Sequence, residues 1–222
     1  MAARFGERWL RIYAGRKLRS DPIFPAAFKL FHASSQPLVD VGCGVGLLAF
    51  YLRERNVLAP ISGLDRDARK IERANAIAAG VYPGLHFSAQ DVCDPIEQTG
   101  NIVLFDLLHY LQPDDQARLL ERLAGQVAPG GLLVIRDCPR DGNARFWLTR
   151  LAERFAQATT WNVSATLHFP TREEIFAAFD EKQFSRSVAP LWGRTPFNNY
   201  LFVFRRRAVA ALSAEGRASS EA

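Results

Sequence analysis

The hydrophobic residues of this chain fall into short apolar segments that alternate with longer segments of helical periodicity. The apolar segments are 37–41, 60–65, 84–88, 101–106 and 131–136. Segments in which apolar residues recur about every 3.6 positions separate most of them, at 46–55, 67–79 and 114–127. Strands that alternate with helices in this way are typical of a parallel sheet with crossover helices on both faces.

The pattern changes after residue 136. Residues 146–158 have helical periodicity, and Thr171 with Glu174 forms a capping box that predicts a helix to about Phe179. Two further apolar segments, 184–190 and 199–205, are joined by a loop without a helical pattern. Strands with no crossover helix between them must pair antiparallel. The expected fold is α/β: a seven-stranded sheet of five parallel strands closed by a C-terminal antiparallel hairpin, with helices on both faces.

The N-terminal residues predict an amphipathic helix over 4–19 and a second, short helix over 25–32. On the first helix, we expect the apolar face to be formed by Phe5, Trp9, Ile12 and Tyr13. The C-terminal end is small and polar without periodicity, so we expect it to be disordered. The predicted organisation is a helical cap (1–35), a main domain (36–206) and a tail (207–222).

Charge and cysteine content narrow the functional classes. The net charge is +5, and residues 1–20 hold six basic residues against Glu7 alone, so the rest of the chain is neutral overall. Nucleic-acid-binding domains usually spread basic residues over a face of the folded body. The three cysteines form no C-x-x-C pair, which argues against a disulfide framework. With no signal-peptide pattern and no membrane-spanning segment, we expect a cytoplasmic protein.

A glycine-rich turn follows the first predicted strand. The sequence Asp40-Val-Gly42-Cys-Gly44-Val-Gly46 has glycines at alternate positions, which permit a tight turn and close approach of a ligand. It is neither a dinucleotide fingerprint, whose third glycine would be at Leu47, nor a phosphate-binding P-loop. The pattern D-x-G-x-G-x-G resembles motif I of the class I methyltransferases that use S-adenosylmethionine, which have a Rossmann-like fold.

This resemblance implies a cofactor site at the ends of the first four strands. Asp65 lies 19 residues after Gly46, where an acidic residue of the family binds both ribose hydroxyls. Asp91 and Val92 match the motif that holds the adenine ring, and Asp40 would approach the cationic amino-acid end. We expect the side chain of Cys43 to be structural. The implied cofactor-binding residues are Asp40, Gly42, Cys43, Gly44, Gly46, Asp65, Arg66, Asp91, Val92 and Asp106.

Transfer of a methyl group to a hydroxyl or an amine also requires loss of a proton. His109 follows the fourth strand in Asp106-Leu-Leu-His109-Tyr110-Leu, which is close to a D-x-x-H-x-L found in many small-molecule methyltransferases. The unperturbed pKa of an imidazole suits proton removal near neutral pH. His109 is therefore the candidate catalytic base, and the alternative is that it packs or orients a loop. His168 and Tyr110 are weaker candidates.

Asp106 and Asp137 end neighbouring predicted strands, which raises the alternative of a divalent cation, as in metal-dependent catechol-type methyltransferases. Such a site needs a third oxygen ligand, for which Asn143 is the one nearby candidate. We therefore expect no metal.

The implied function is S-adenosylmethionine-dependent methylation of a small-molecule acceptor, first of all on a hydroxyl. Segments 13–22, 134–137 and 192–200 are similar to methyltransferases of bacterial aryl-polyene and related pigment biosynthesis, which implies an aromatic or acyl-carrier-bound acceptor. Trp9, Tyr13 and Phe24 would form an apolar wall for it. The basic helix would suit a carrier protein, an anionic membrane surface, or acceptor contacts through Arg16, Lys17 or Arg19.

Two alternative functions remain open. A protein of the same fold can bind S-adenosylmethionine in a regulatory, non-catalytic role. An RNA methyltransferase is less favoured: amino-group enzymes carry [NDS]-P-P-[YF] after the fourth strand, and carbon-5 enzymes carry Pro-Cys there. This chain has Phe105-Asp-Leu-Leu108 instead. We therefore expect no nucleic-acid partner.

Overall fold

The structure is a computed structural model that describes residues 1–158 and 166–208. The strands are β1 (Leu38–Val41), β2 (Ile61–Asp65), β3 (Leu85–Ala89), β4 (Asn101–Phe105), β5 (Leu132–Asp137), β6 (Phe184–Pro190) and β7 (Tyr200–Arg206). The α-helices are α1 (Arg8–Ser20), α2 (Ile23–Phe31), α3 (Leu47–Arg53), α4 (Ala68–Val81), α5 (Pro113–Gln126), α6 (Ala144–Ala158) and α7 (Arg172–Ala177). Short 3-10 turns occur at Ala2–Arg4 and Leu108–Tyr110.

The seven strands form one sheet in the order β3-β2-β1-β4-β5-β7-β6. β1 to β5 are parallel, and β7 runs antiparallel to both β5 and β6. The predicted fold class is confirmed, including the C-terminal hairpin. The strand order reverses between β1 and β4, and open α/β sheets build their ligand crevice outside the carboxyl ends at such a point.

Alternate residues of the central strands face two separate cores. Val103 and Val134 pack on one face of the sheet with buried residues of α1 to α4. Ile102, Leu104 and Leu133 pack on the other face with α5 and α7. Because side chains alternate across a strand, these strands bury both faces and read as continuous apolar runs. Helices therefore cover both faces, as the sequence predicts.

The N-terminal prediction is wrong in two respects. The α-helix begins at Arg8 instead of residue 4, and its buried residues are Leu10 and Ala14. Of the predicted apolar face, Phe5 is buried as expected, but it precedes the helix. Trp9 and Ile12 are 46% and 53% exposed. The small Ala14, 0% exposed, permits close packing, so α1 is an integral part of the fold although it carries the basic charge. Most of the predicted tail, 209–222, lies outside the described residues.

The capping box of α7 is confirmed. The Thr171 hydroxyl accepts the Glu174 N–H, and the Glu174 carboxylate accepts the Thr171 N–H at 2.7 Å. None of the described helices combines the length and the apolar character needed to cross a membrane.

Candidate active site

The turn between β1 and α3 is built on three glycines with positive φ, +79° at Gly42, +57° at Gly44 and +76° at Gly46. A Cβ at Gly46 would lie 2.8 Å from Phe87, and one at Gly42 would lie 3.1 Å from Leu107. A Cβ at Gly44 would meet no described atom within 4 Å. Gly44 therefore borders open space, where a ligand can approach the backbone.

Asp65 ends β2 and reaches this turn. Its Oδ2 accepts the N–H of Gly44 at 2.9 Å, and its Oδ1 accepts the N–H of Asp67 at 2.9 Å. An ionised carboxylate offers about four lone-pair sites, so both oxygens can still accept a hydroxyl. Arg66 follows on the same turn and is exposed. The geometry suits recognition of a diol by Asp65.

Asp40 is buried in β1 next to the turn, 4% exposed. Burial and the nearby charge of Asp65 raise its pKa to about 7. A cationic ligand group placed beside Asp40 would favour its ionised form. Burial also raises the pKa of the Cys43 thiol, and its Sγ occupies the space next to Gly63, where a Cβ would lie 2.8 Å away. Cys43 therefore has a packing role.

Asp91 and Val92 follow β3 at the same edge of the sheet. The N–H of Gln90 donates to the Asp65 carbonyl at 3.1 Å, which holds the start of this loop beside the end of β2. Asp91 is exposed and its Oδ1 accepts the N–H of Cys93 at 2.9 Å, while Val92 is buried. The structure thus places both predicted adenine contacts on the same rim as Asp65.

Asp106, directly after β4, has a left-handed backbone with φ +54°. Non-glycine residues rarely adopt this conformation, and such strain concentrates at functional sites. Its carboxylate contacts Arg136 and lies 3.8 Å from Lys17 Nζ. Buried Arg136 also binds Asp21 at 2.6 Å, at the end of α1. These charges connect the N-terminal cap to the end of β4.

His109 lies in the 3-10 turn after β4 and is 3% exposed. Its Nδ1 donates to Asp137 Oδ1 at 2.7 Å, and its ring stacks on Phe169 with 5.1 Å between centroids. Nε2 is buried and makes no hydrogen bond among the described residues. Burial lowers the pKa of His109, but the carboxylates of Asp137, Glu153 and Asp106 outweigh this effect and raise it to about 9.

The two weaker catalytic candidates lie close to His109. The Tyr110 ring is 4.3 Å from the imidazole, and its hydroxyl donates to Glu153 Oε2 at 2.6 Å. Glu153 belongs to α6, and the same oxygen is 3.9 Å from His109 Nε2. His168 is joined to His109 through its backbone N–H, which donates to the His109 carbonyl at 2.9 Å.

The carboxylates of the alternative metal site are engaged by protein groups. Asp137 accepts the N–H of Leu108 at 3.0 Å and the N–H of Cys138 at 2.8 Å, in addition to His109. Asn143 bonds instead to Asp141 and Asn198, at 2.8 and 3.0 Å. Within residues 1–158 and 166–208, no group of three or more His, Cys, Asp or Glu residues could hold a metal ion.

The three aromatic residues predicted to line the acceptor separate in the structure. Phe24 is buried and its ring is 5.2 Å from that of Tyr51, so it belongs to the core. Trp9 and Tyr13 are exposed on α1, and Lys17 lies 6.0 Å from the Tyr13 ring. Lys17 thus links α1 to Asp106 at the end of β4, and Tyr13 lies beside Lys17.

Sequence reasoning did not identify Arg136 and Glu153 as members of the site. Arg136 lies on β5, paired in register with Phe105 of β4, and is 3% exposed. An arginine in a strand that is otherwise apolar is a signal of a buried ion pair. Glu153 is the single acidic residue of α6, but its contact with His109 depends on how α6 packs.

The residues at this edge fit S-adenosylmethionine. Gly44 offers open space above the backbone, Asp65 retains lone pairs for ribose hydroxyls, and Asp40 has a pKa that a cationic group would lower. Asp91 is exposed at the rim where an adenine amino group would need an acceptor. The same fold and site define the class I methyltransferases.

Comparison with known proteins agrees with this class. A family model described as a methyltransferase domain matches residues 13–185. The carboxy-S-adenosyl-L-methionine synthase of Aeromonas hydrophila is 31% identical over 106 residues, 45% of this chain and 42% of that protein. The chain thus spans less than half the length of this curated relative.

Two solved structures have the same fold. Magnesium protoporphyrin IX methyltransferase from Synechocystis PCC 6803 with bound SAH has a TM-score of 0.63 at 15% identity, covering 88% of this chain and 84% of that one. An O-methyltransferase family 2 protein from Planctomyces limnophilus, in complex with apigenin, has a TM-score of 0.66 at 19% identity, covering 87% and 58%.

The family match extends over most of the chain and includes the turn, Asp65, Asp91 and His109. The chain belongs to the methyltransferase domain family, whose cofactor is S-adenosylmethionine. The resemblance inferred from the glycine turn is confirmed.

Proposed function

We propose that this domain transfers the methyl group of S-adenosylmethionine to a hydroxyl of a small-molecule acceptor, with His109 as the base. The observation that carries the proposal is the buried His109–Asp137 pair, 2.7 Å apart, whose outer nitrogen has no hydrogen-bond partner among the described residues. A buried polar atom without a partner is costly and calls for an explanation, and at His109 it stands on a ring whose other nitrogen is bound to a buried carboxylate. An acceptor hydroxyl would satisfy Nε2.

The cofactor supplies an activated methyl group, so the protein contributes mainly position and proton removal. Asp65 would hold the ribose, Asp91 and Val92 the adenine, and Asp40 the amino-acid end. Asp137 holds Nδ1 of His109 protonated and directs Nε2 away from β5. This arrangement fixes the tautomer in which Nε2 can accept a proton.

The charge state of His109 predicts an alkaline optimum. With a pKa of about 9, on the order of one imidazole in a hundred is neutral at pH 7. Only the neutral form can accept the proton of the acceptor. We therefore expect the rate of methyl transfer to rise with pH up to about pH 9, and to follow the titration of His109.

An aromatic acceptor is the substrate class that this site favours. Tyr13 and Trp9 are exposed large side chains on the cap helix, and aromatic faces stack with each other at 4.5–7 Å in many sites. Among structures of the same fold, the Planctomyces limnophilus protein was crystallised with apigenin. A phenolic hydroxyl would be the group that is methylated.

A carrier-bound acceptor is the second part of the proposal. α1 contains five basic residues and no acidic residue, and Arg8, Arg16 and Arg19 are exposed. An acyl carrier protein with an acidic surface would dock on this helix beside the crevice and be steered by its charge. Replacement of Arg8, Arg16 and Arg19 by Gln should weaken this binding and reduce its dependence on salt.

The first experiment is calorimetry of the protein with S-adenosylmethionine and S-adenosylhomocysteine, followed by methyl-transfer assays on phenolic acceptors. We expect binding of both, and turnover that falls by about 10² or more in His109→Asn while cofactor affinity stays within twofold. Binding without transfer to any acceptor would favour the regulatory alternative. An unchanged rate in His109→Asn would contradict its role as the base.

A further inference from the structure

Glu153 connects the buried end of His109 to solvent. Its Oε2 lies 3.9 Å from His109 Nε2, and the Glu153 side chain is 26% exposed while that of His109 is 4% exposed. The hydroxyl of Tyr110 donates to the same oxygen at 2.6 Å, which holds the carboxylate at this position. Glu153 is thus a proton acceptor that both sides can reach.

The other surroundings of His109 provide no comparable route. Nδ1 is bound to Asp137, whose side chain is 0% exposed and also accepts two backbone N–H groups. Phe169 stacks on the imidazole, and the Tyr110 ring packs against it at a tilt, with 4.3 Å between centroids. A proton that arrives at Nε2 must therefore leave from Nε2.

We propose that Glu153 is the proton outlet of His109. The inference rests on the proposed function, in which Nε2 takes the acceptor's proton. The acceptor O–H bond breaks, its electron pair remains on the oxygen that receives the methyl group, and an N–H bond forms at Nε2. That N–H bond then breaks as an O–H bond forms on Glu153, and water removes the proton.

The transfer requires a small movement or a bridging water. Donor and acceptor must approach to about 2.8 Å, or one water must join them, and a partly exposed glutamate side chain on a helix can move this far. Three carboxylates, Asp137, Glu153 and Asp106, face His109 from β5, α6 and the end of β4, and together they favour the protonated ring. Asp106 is held by Arg136 and Lys17. Glu153 is therefore the carboxylate that can accept the proton and release it.

Proton exchange at Nε2 tests the outlet without any substrate. In cofactor-free protein labelled with ¹⁵N-histidine, NMR measures the exchange of the Nε2 proton with water. Glu153→Gln keeps the shape and an acceptor for Tyr110 but is a poor proton acceptor, so we expect exchange to slow by about tenfold or more. Glu121→Gln, at an exposed site on α5, is the matched control and should not change it. Equal exchange rates in both variants would overturn the proposal.

Kinetics give a second, independent test. Glu153→Gln should lower kcat with little change in KM, and formate or imidazole in the buffer should restore part of the rate. Tyr110→Phe loses the hydroxyl that positions Glu153 but keeps the carboxylate itself, so Nε2 exchange should remain faster in this variant than in Glu153→Gln. Normal turnover in Glu153→Gln would count against the outlet. A wild-type protein that transfers no methyl group would instead contradict the proposed function, and the exchange measurement would still decide on Glu153.

Discussion

The three glycines of the turn after β1 have separate physical tasks. Gly42 and Gly46 leave room for Leu107 and Phe87, whereas Gly44 leaves room for something outside the protein. All three have positive φ, so each also relieves backbone strain. The spacing predicted a ligand-binding turn, but it could not tell which glycine borders open space, because that depends on side chains of β3 and of the loop after β4.

Alanine at Gly44 should act mainly on cofactor binding, and alanine at Gly46 mainly on stability. Gly44→Ala adds a methyl group in open space, so it should cost about 1 kcal/mol of stability through its positive φ while abolishing cofactor binding. Gly46→Ala also collides with Phe87, so it should cost about 3 kcal/mol or more. Urea unfolding and calorimetry measure the two effects. Normal cofactor affinity in a folded Gly44→Ala protein would show that the ligand lies elsewhere.

Asp65 offers the most direct test of the cofactor geometry. Asp65→Asn retains the size of the side chain but loses charge-assisted hydrogen bonds to ribose, so affinity for S-adenosylmethionine should fall by about 2 kcal/mol, on the order of 30-fold. Asp94→Asn, an exposed aspartate in the next loop, is the control and should bind normally. Equal affinity in both variants, measured by calorimetry, would show that Asp65 does not bind the ribose.

At the scale of elements, the sequence predicted the sheet better than the cap. Strands such as β4 and β5 are apolar on both faces and end at polar residues. The number and direction of the strands, and the side chains at their carboxyl ends, could therefore be predicted from the sequence. The first helix was misjudged because bulky Trp9 and Ile12 have helical spacing. Burial of Leu10 and Ala14 instead depends on how closely α1 approaches its neighbours, which local periodicity does not encode.

The ion pairs of Arg136 make the placement of α1 depend on the end of β4. Arg136→Met would leave Asp21 and Asp106 without their buried partner, and loss of one member of a buried pair costs about 3 kcal/mol. Arg118→Gln removes an exposed pair with Asp115 on α5 and should cost less than about 1 kcal/mol. Urea unfolding compares the two. Similar losses would mean that the Arg136 network contributes little to anchoring the cap.

At the scale of the whole molecule, the excess of basic residues lies in the N-terminal segment, whereas carboxylates collect at the carboxyl edge of the sheet. The net charge of +5 equals that of residues 1–20, and Asp40, Asp65, Asp91 and Asp106 lie at or beside the carboxyl ends of β1 to β4. Burial and the charge of Asp65 raise the pKa of Asp40. Three carboxylates raise the pKa of His109, although burial acts in the opposite direction. This arrangement concentrates negative charge where a cationic cofactor would bind, and it lowers the stability of the empty protein.

The cofactor-free protein should therefore lose stability in two ranges of pH as the pH rises. The folded pKa of Asp40 is about 7 against 3.8 for an unperturbed aspartate, and that of His109 is about 9 against 6.5 for an unperturbed histidine. Both groups bind protons more tightly when folded, so their contributions are complete below the unfolded pKa and are lost as pH rises through the folded one.

Asp40→Asn should abolish the loss between about pH 4 and 7, and His109→Asn the loss between about pH 6.5 and 9. Unfolding free energies measured by urea titration across pH, as differences from the wild type, separate these windows from all other groups. S-adenosylmethionine should reduce the loss of stability that accompanies ionisation of Asp40, because a bound cation stabilises the carboxylate. A difference that stays constant with pH would show that the group titrates normally in the folded protein, and that it lies outside the electrostatic field of the site.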